Sequence, residues 1–267
     1  GSNSSVISLM VTLFSGISLG SNVVIANYIG QCDKKRVPRV VHTAVTLALL
    51  SGVFLLVLGQ FVAHPILVLM GAPKNIIHLA TLYLRIYFLG MPFFMLYDFG
   101  ASILRSIGDT RRPMYALIVS GVVNVILNLL FVVVFRMGVA GAGLATVGAN
   151  AVSAAQIIYF LMHEELPIRL SFQSLMIDRD AVSKILRIGV PAGLQGMVFS
   201  LANVCIQSGI NSFGSAGIAG SAVELNYEYF AYYLVNAFAQ TVVTFTGQNY
   251  GAKNEERCKK IFRLGML

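Results

Sequence analysis

Apolar residues run through this chain in long unbroken stretches, not in the narrow stripe of a soluble amphipathic helix. Seven stretches, 6–30, 40–62, 79–104, 113–135, 138–162, 188–212 and 216–247, reach the length of a membrane-crossing helix, which needs about 20 mostly apolar residues. Only helices and closed barrels satisfy every backbone polar group in lipid. Barrel strands alternate apolar and polar residues over about ten positions, and the run from Val45 to Val57 shows no such alternation. The pattern predicts an all-α membrane protein of seven spans, with Arg257 to Leu267 opening an eighth.

Charge sets the orientation of these spans. Sixteen of the 19 Lys and Arg fall in the loops after the first, third, fifth and seventh stretches, and the opposite loops hold only Lys74 and Arg136. Basic loops stay on the cytoplasmic side, so the ends that carry Arg36 and Arg257 face the cytoplasm. Only 11% of the residues are charged, against about 25% in soluble domains; lipid must be the main solvent. The net charge of +8 then matches an anionic leaflet, and nucleic acid is not an expected partner. Cys32, Cys205 and Cys258 form no CxxC, and His42, His64, His78 and His163 are scattered singly. Neither a metal nor an organic cofactor is expected, nor an enzyme.

The longest polar stretch, from His163 to Lys184, divides the chain into residues 1–163, a cytoplasmic linker at 164–184, and residues 185–267. The two parts resemble each other. The first span ends Asn27-Tyr28-Ile29-Gly30 and the seventh ends Gln248-Asn249-Tyr250-Gly251, with Arg36 and Arg257 following. Gly30 and Gly251 are 221 positions apart, as are Arg36 and Arg257. Both spans run from outside to inside, which predicts parallel repeats about an axis along the membrane normal.

Several segments carry a family resemblance. Leu104-Arg105-Ser106-Ile107-Gly108-Asp109-Thr110-Arg111-Arg112-Pro113-Met114 fits LRxxGDTxxPM, Asn124 to Asn128 fits N-I-x-L-D, and Gly138 to Thr146 fits GVAGAAxAT. Gly189-Val190-Pro191 and Gly247 to Ala252 follow in order. In this, the chain resembles the multidrug and toxic compound extrusion (MATE) family, and its DinF-like bacterial branch more than the NorM-like one. The resemblance implies two six-helix bundles, of which this chain supplies the second to eighth helices, and lacks the first. It also implies a monomer in the bacterial inner membrane that exports amphipathic, often cationic, organic compounds in exchange for Na⁺ or H⁺.

Polar groups inside the spans are the candidate sites, because ionisable groups at membrane depth are costly. Asp98 and Glu228 are the acidic candidates for a substrate cavity; Asp98 is too far along its helix from Arg85 to pair with it. Gln195, Asn203 and Gln207 make a polar stripe on the sixth span, and Asn236 sits one turn from Gln240 on the seventh. Asn124 and Asn128 share one helix face. In the resembling family the matching pair is Asn then Asp and, with a threonine matched here by Thr146, forms a cation site. Asn128 in place of the acid removes the titratable group yet keeps a carbonyl able to ligate Na⁺. Phe199 stands where the NorM-like branch carries a Glu. Gly16 and Gly20 form GxxxG, a close-packing motif, and Pro92 and Pro191 are expected to interrupt their helices. A lipid-linked saccharide flippase is the alternative function, opposed by the single basic residue, Arg85, within the spans; an inactive fragment is another.

Overall fold

The structure is a computed structural model. It describes the backbone of residues 2–69, 77–165, 167–211 and 214–266, with the side chains of these except 2–6, 9, 69, 204, 207–211, 214–226 and 229. Its helices, in chain order, are α1 (Ser2–Gly30), α2 (Arg36–Leu69), α3 (Ile77–Leu89), α4 (Met91–Ser106), α5 (Arg111–Asn128), α6 (Gly138–Met162), α7 (Arg179–Asn211), α8 (Gly214–Gly251) and α9 (Glu255–Met266). A π-helical turn, Leu129–Val134, continues α5 without a break. No strand occurs among the described residues.

Among the described residues, five helices are long and apolar enough to cross a bilayer, or six when α3 and α4 count as one span bent by 47°. That bend falls within the expected third span, 79–104, at Gly90, with Pro92 in the first turn of α4. Proline is pre-organised for a helix start, so the break belongs at this point. Pro191 behaves otherwise. It lies well inside a continuous α7, because that helix begins at Arg179, in the polar stretch, and not at the membrane edge. The expected interruption at Pro191 is therefore absent. Helix α8 covers the seventh stretch as one helix of 38 residues. Its described residues are less apolar than those of the five and include Glu228, Asn236, Gln240, Gln248 and Asn249.

The cytoplasmic helix starts share one device. Asp33 accepts from the amides of Lys35 and Arg36 at 3.2 and 3.0 Å, and Asp109 from those of Arg111 and Arg112 at 3.0 and 3.2 Å. Asp178 accepts from Asp180 and Ala181 at 2.9 and 3.1 Å. Such capping satisfies amides that a helix start leaves open. The linker is held too: the Ser171 amide donates to His42 Nε2 (3.1 Å) and the Asp178 amide to Thr43 Oγ1 (3.1 Å), both on α2.

The 221-residue repeat is written into the backbone. Cys32 and Lys253, at matching positions, both have φ +56°. Asp33 N bonds Tyr28 O at 3.1 Å, and Asn254 N bonds Asn249 O at 2.9 Å. Arg36 N reaches Asp33 Oδ1 at 3.0 Å, and Arg257 N reaches Asn254 Oδ1 at 3.1 Å. The turn from α1 into α2 and the turn from α8 into α9 are thus the same structure. A left-handed φ at a non-glycine residue is uncommon, so its recurrence at a matching position is a strong mark of common design.

The core has two kinds of packing. Large apolar side chains, Leu55, Leu84, Phe88, Met95, Phe99 and Ile103 among them, fill the space around α4. Between α1 and α7 the backbones themselves meet. A Cβ placed on Gly189 would lie 2.9 Å from the Gly16 carbonyl oxygen, and one on Gly193 would lie 2.6 Å from that of Leu13. The GxxxG of Gly16 and Gly20 therefore meets a second one, Gly189 and Gly193, on α7.

Candidate functional site

The described structure places the sequence-predicted polar residues in three groups. Asn124 and Asn128 form the first. The Asn128 amide Nδ2 donates to the Asn124 side-chain oxygen at 3.0 Å and to its backbone carbonyl at 2.9 Å. Asn128 is the last residue of α5 before the π-helical turn; such turns widen the helix and re-aim neighbouring groups. Thr146 lies on α6, which packs beside α5. Its hydroxyl donates to the Ala142 carbonyl of its own helix at 3.0 Å, and no recorded hydrogen bond joins it to either asparagine. The asparagines meet; the threonine bonds within its own helix.

The second group lies on α7 and α8. Gln195 and Glu228 are exposed, and Asn203 and Asn236 are half-buried. Phe199 stacks on Tyr232 with centroids 5.7 Å apart and planes 9° from parallel, so Phe199 serves helix contact. The side chain of Gln207 falls outside the described residues. On α8, Glu228, Tyr232, Asn236, Gln240, Thr244 and Gln248 recur at four-residue intervals, a stripe that drifts only slowly round a helix.

The cytoplasmic half of that stripe meets the third group, which carries Asp98. Gln240 Oε1 accepts from Arg105 Nη1 at 2.8 Å, Thr244 Oγ1 donates to Asn22 Oδ1 at 3.0 Å, and Gln248 Nε2 donates to the Ser106 carbonyl at 2.6 Å. Asn22 in turn donates to the Ser102 carbonyl at 3.0 Å, and Ser102 donates to that of Ser18 at 2.9 Å. Asp98, one turn above Ser102, pairs with Arg105 at 3.9 Å and leaves Oδ2 buried without a hydrogen bond. Asp98 is thus enclosed against α1, unlike Glu228. This network ties α1 and α4 to α8. Sequence reading singled out Asp98 but passed over Ser15, Ser18, Asn22 and Ser102. Their three- and four-residue spacing along α1 and α4 was the available signal.

Next to the network, α1 and α8 cross at the two repeat-related glycines. A Cβ on Gly30 would meet the Gln248 carbonyl carbon at 2.7 Å, and one on Gly251 would meet that of Asn27 at 2.9 Å. Asn27 and Gln248 are themselves 221 positions apart. The crossing is two-fold in its parts and lies at the cytoplasmic ends of both helices. Beside it, a cavity of about 670 Å³ is bounded by Asn27, Tyr28, Arg36, Lys184, Thr246 and Tyr250. None of the sequence-predicted site residues lines it.

Comparison with known proteins places this arrangement. The MatE family profile matches residues 1–130 and 191–267. The probable multidrug resistance protein YoeA of Bacillus subtilis is 31% identical over 97% of this chain and 57% of its own length. The FAD transporter of Shewanella oneidensis is 26% identical over 94% of this chain and 56% of its own. A multidrug-resistance MATE transporter solved in an outward-facing conformation superposes with a TM-score of 0.84 at 25% identity, covering 97% of this chain and 58% of that one. The chain therefore spans rather more than half the length of the curated relatives it matches. Helical throughout its described elements, multi-pass in the bilayer and matched by this profile along both of its parts, the chain belongs to the MATE family of bacterial inner-membrane transport proteins.

Proposed function

We propose that this chain is the larger part of a cation-coupled antiporter that exports amphipathic or cationic organic compounds by alternating access. Residues 1–163 and 185–267 belong to two bundles joined by the linker at 164–184, and they rock against each other. The carrying observation is the two-fold crossing of α1 and α8, with its polar ties, at the end that charge assigns to the cytoplasm. A closed cytoplasmic end is what an outward-open state requires, and its helix contact rests on glycine and a few hydrogen bonds that can be made and broken. Above the crossing, Glu228, Asn236, Gln195 and Asn203, with Gln207, are the proposed substrate contacts, and the Glu228 carboxylate supplies the charge that favours a cationic compound. Asn124 and Asn128, with Thr146 on the adjoining α6, offer neutral oxygens for Na⁺, which takes such ligands readily. Names given to relatives, multidrug resistance and FAD transport, support organic molecules as cargo.

Ethidium efflux from cells that express the protein tests the reading, with a Na⁺ or a proton gradient imposed separately. Efflux driven by one gradient is expected in the parent. Asn128→Ala is expected to weaken the dependence on that gradient, and Glu228→Gln to slow ethidium export about tenfold, the scale of one lost charge interaction. No efflux under either gradient, with the protein shown to be in the membrane, would sink the reading.

A further inference from the structure

We infer that Asp98 is a cation-sensing carboxylate that controls the cytoplasmic closure through Arg105. This rests on the antiporter reading above and names a coupling site on α4, separate from the asparagine pair.

Arg105 links α4 to α8. Its Nε donates to the Ala101 carbonyl at 3.2 Å, its Nη2 lies 3.9 Å from Asp98 Oδ1, and its Nη1 donates to Gln240 Oε1 at 2.8 Å. One guanidinium thus joins an acid on α4 to an amide on α8, across the contact that closes the cytoplasmic end. Both charged side chains are largely enclosed, with 19% of Asp98 and 27% of Arg105 exposed. The titratable groups that face Asp98 are Arg105 and Tyr97 on its own helix; α1 brings Ser15 and Ser18 beside it, and Gln240 on α8 reaches it only through Arg105. Arg105 is accordingly the counterion of Asp98. The second carboxylate oxygen is buried without a hydrogen bond, while the Ser18 hydroxyl donates to the Asp98 backbone carbonyl at 3.1 Å; this unpartnered oxygen is the one that takes the proton or small cation.

The consequence follows from charge. While Asp98 is ionised, Arg105 is compensated in place and holds Gln240. A cation on Asp98 removes that compensation. An enclosed guanidinium without a counter-charge is costly, and an arginine near a helix end can extend its stem toward water. Arg105 then swings to the cytoplasmic face and releases Gln240, leaving Thr244–Asn22 and Gln248–Ser106 as the remaining ties. Cation loading therefore loosens the cytoplasmic end. That is the sign antiport requires: the cation-loaded carrier turns inward, and the empty one closes behind the exported compound.

The test is a distance measurement between spin labels on Cys32 and on Glu256→Cys, with Cys205 and Cys258 replaced by serine, on the purified chain in lipid nanodiscs. Acid at zero Na⁺, and Na⁺ added at pH 8, are applied in separate arms, with ethidium in a third. In the parent, acid or Na⁺ is expected to raise the ratio of long to short distances about tenfold, the size of one lost charged hydrogen bond, and the effective arm names the cation. Asp98→Asn is expected to stay long in both arms. Gln240→Leu, which keeps the ion pair but cuts its link to α8, is expected to lose the cation response as well, and it serves if Asp98→Asn does not fold. A shift of parental size in either variant overturns the inference. So does a parent that answers ethidium but neither cation, an outcome that leaves the antiporter fold's movement intact. A parent that answers none of the three overturns the transport reading along with the inference.

Discussion

A chain carrying Gly189→Leu is expected to lose the seat of α1 on α7 and to elute as aggregate where the parent is monodisperse. Helices in lipid gain no hydrophobic driving force from burying apolar side chains against each other, since the tails are as apolar; van der Waals packing supplies the attraction, and at this contact it comes from close backbone approach. Here that approach depends on four glycines. A Cβ on Gly189 would sit 2.5 Å from Ile17 Cα and 2.9 Å from the Gly16 carbonyl oxygen. These are backbone atoms, which cannot rotate away as a side chain can. Overpacking costs about 1–3 kcal/mol even where neighbours yield, so a leucine here exceeds that range. Gly121→Leu is the control, because nothing lies within 4 Å of a Cβ at that position; it is expected to elute as the parent does. Fluorescence-detected size exclusion on detergent extracts reads both.

Gly251→Leu is expected to do something different: to leave the helices folded and the cytoplasmic end open. Its clash is with the backbone of Asn27 on α1, across a contact that the proposed cycle makes and breaks. The chain has an alternative that it lacks at Gly189, which is to remain in the state where α1 and α8 are apart. A penalty of about 3 kcal/mol on the closed state lowers its population more than about a hundredfold. Ser106, fully buried beneath Gln248, reports it. With Ser106→Cys as the lone cysteine, an impermeant maleimide added from the cytoplasmic side labels slowly in the parent and rapidly with Gly251→Leu. Gly30→Leu is expected to match it, as the repeat demands. Equal labelling rates in parent and variant would show that the crossing is not what seals this end.

Much of the fold was legible in the chain because lipid imposes strong rules. Long apolar runs and the placement of Lys and Arg suffice to give spans and orientation, and the recurrence of a polar-aromatic segment closing on Gly before a basic turn located a repeat that the backbone repeats down to φ at Cys32 and Lys253. Helix ends were less legible. The start of α7 at Arg179 depends on the cap from Asp178, a local hydrogen bond that hydropathy does not register, and this is why Pro191, expected to interrupt its helix, lies inside a continuous one. Asn124 and Asn128 met because i and i+4 must meet on a helix. The bond from Thr146 to its own turn had no such determinant. The network around Asp98 was missed because serine hydroxyls carry little weight in a hydropathy reading, and their importance rests on partners 80 or more residues away.

The most direct test of the account locks the crossing shut. Asn27→Cys and Gln248→Cys, with the native cysteines replaced by serine, place one thiol on each helix at repeat-related positions beside Gly30 and Gly251. A short reversible bis-methanethiosulfonate joins them in cells that are exporting ethidium. The account predicts that efflux stops as cross-linked protein accumulates and resumes when dithiothreitol releases it. Undiminished efflux from fully cross-linked protein would contradict it, because α1 and α8 would then have no need to part.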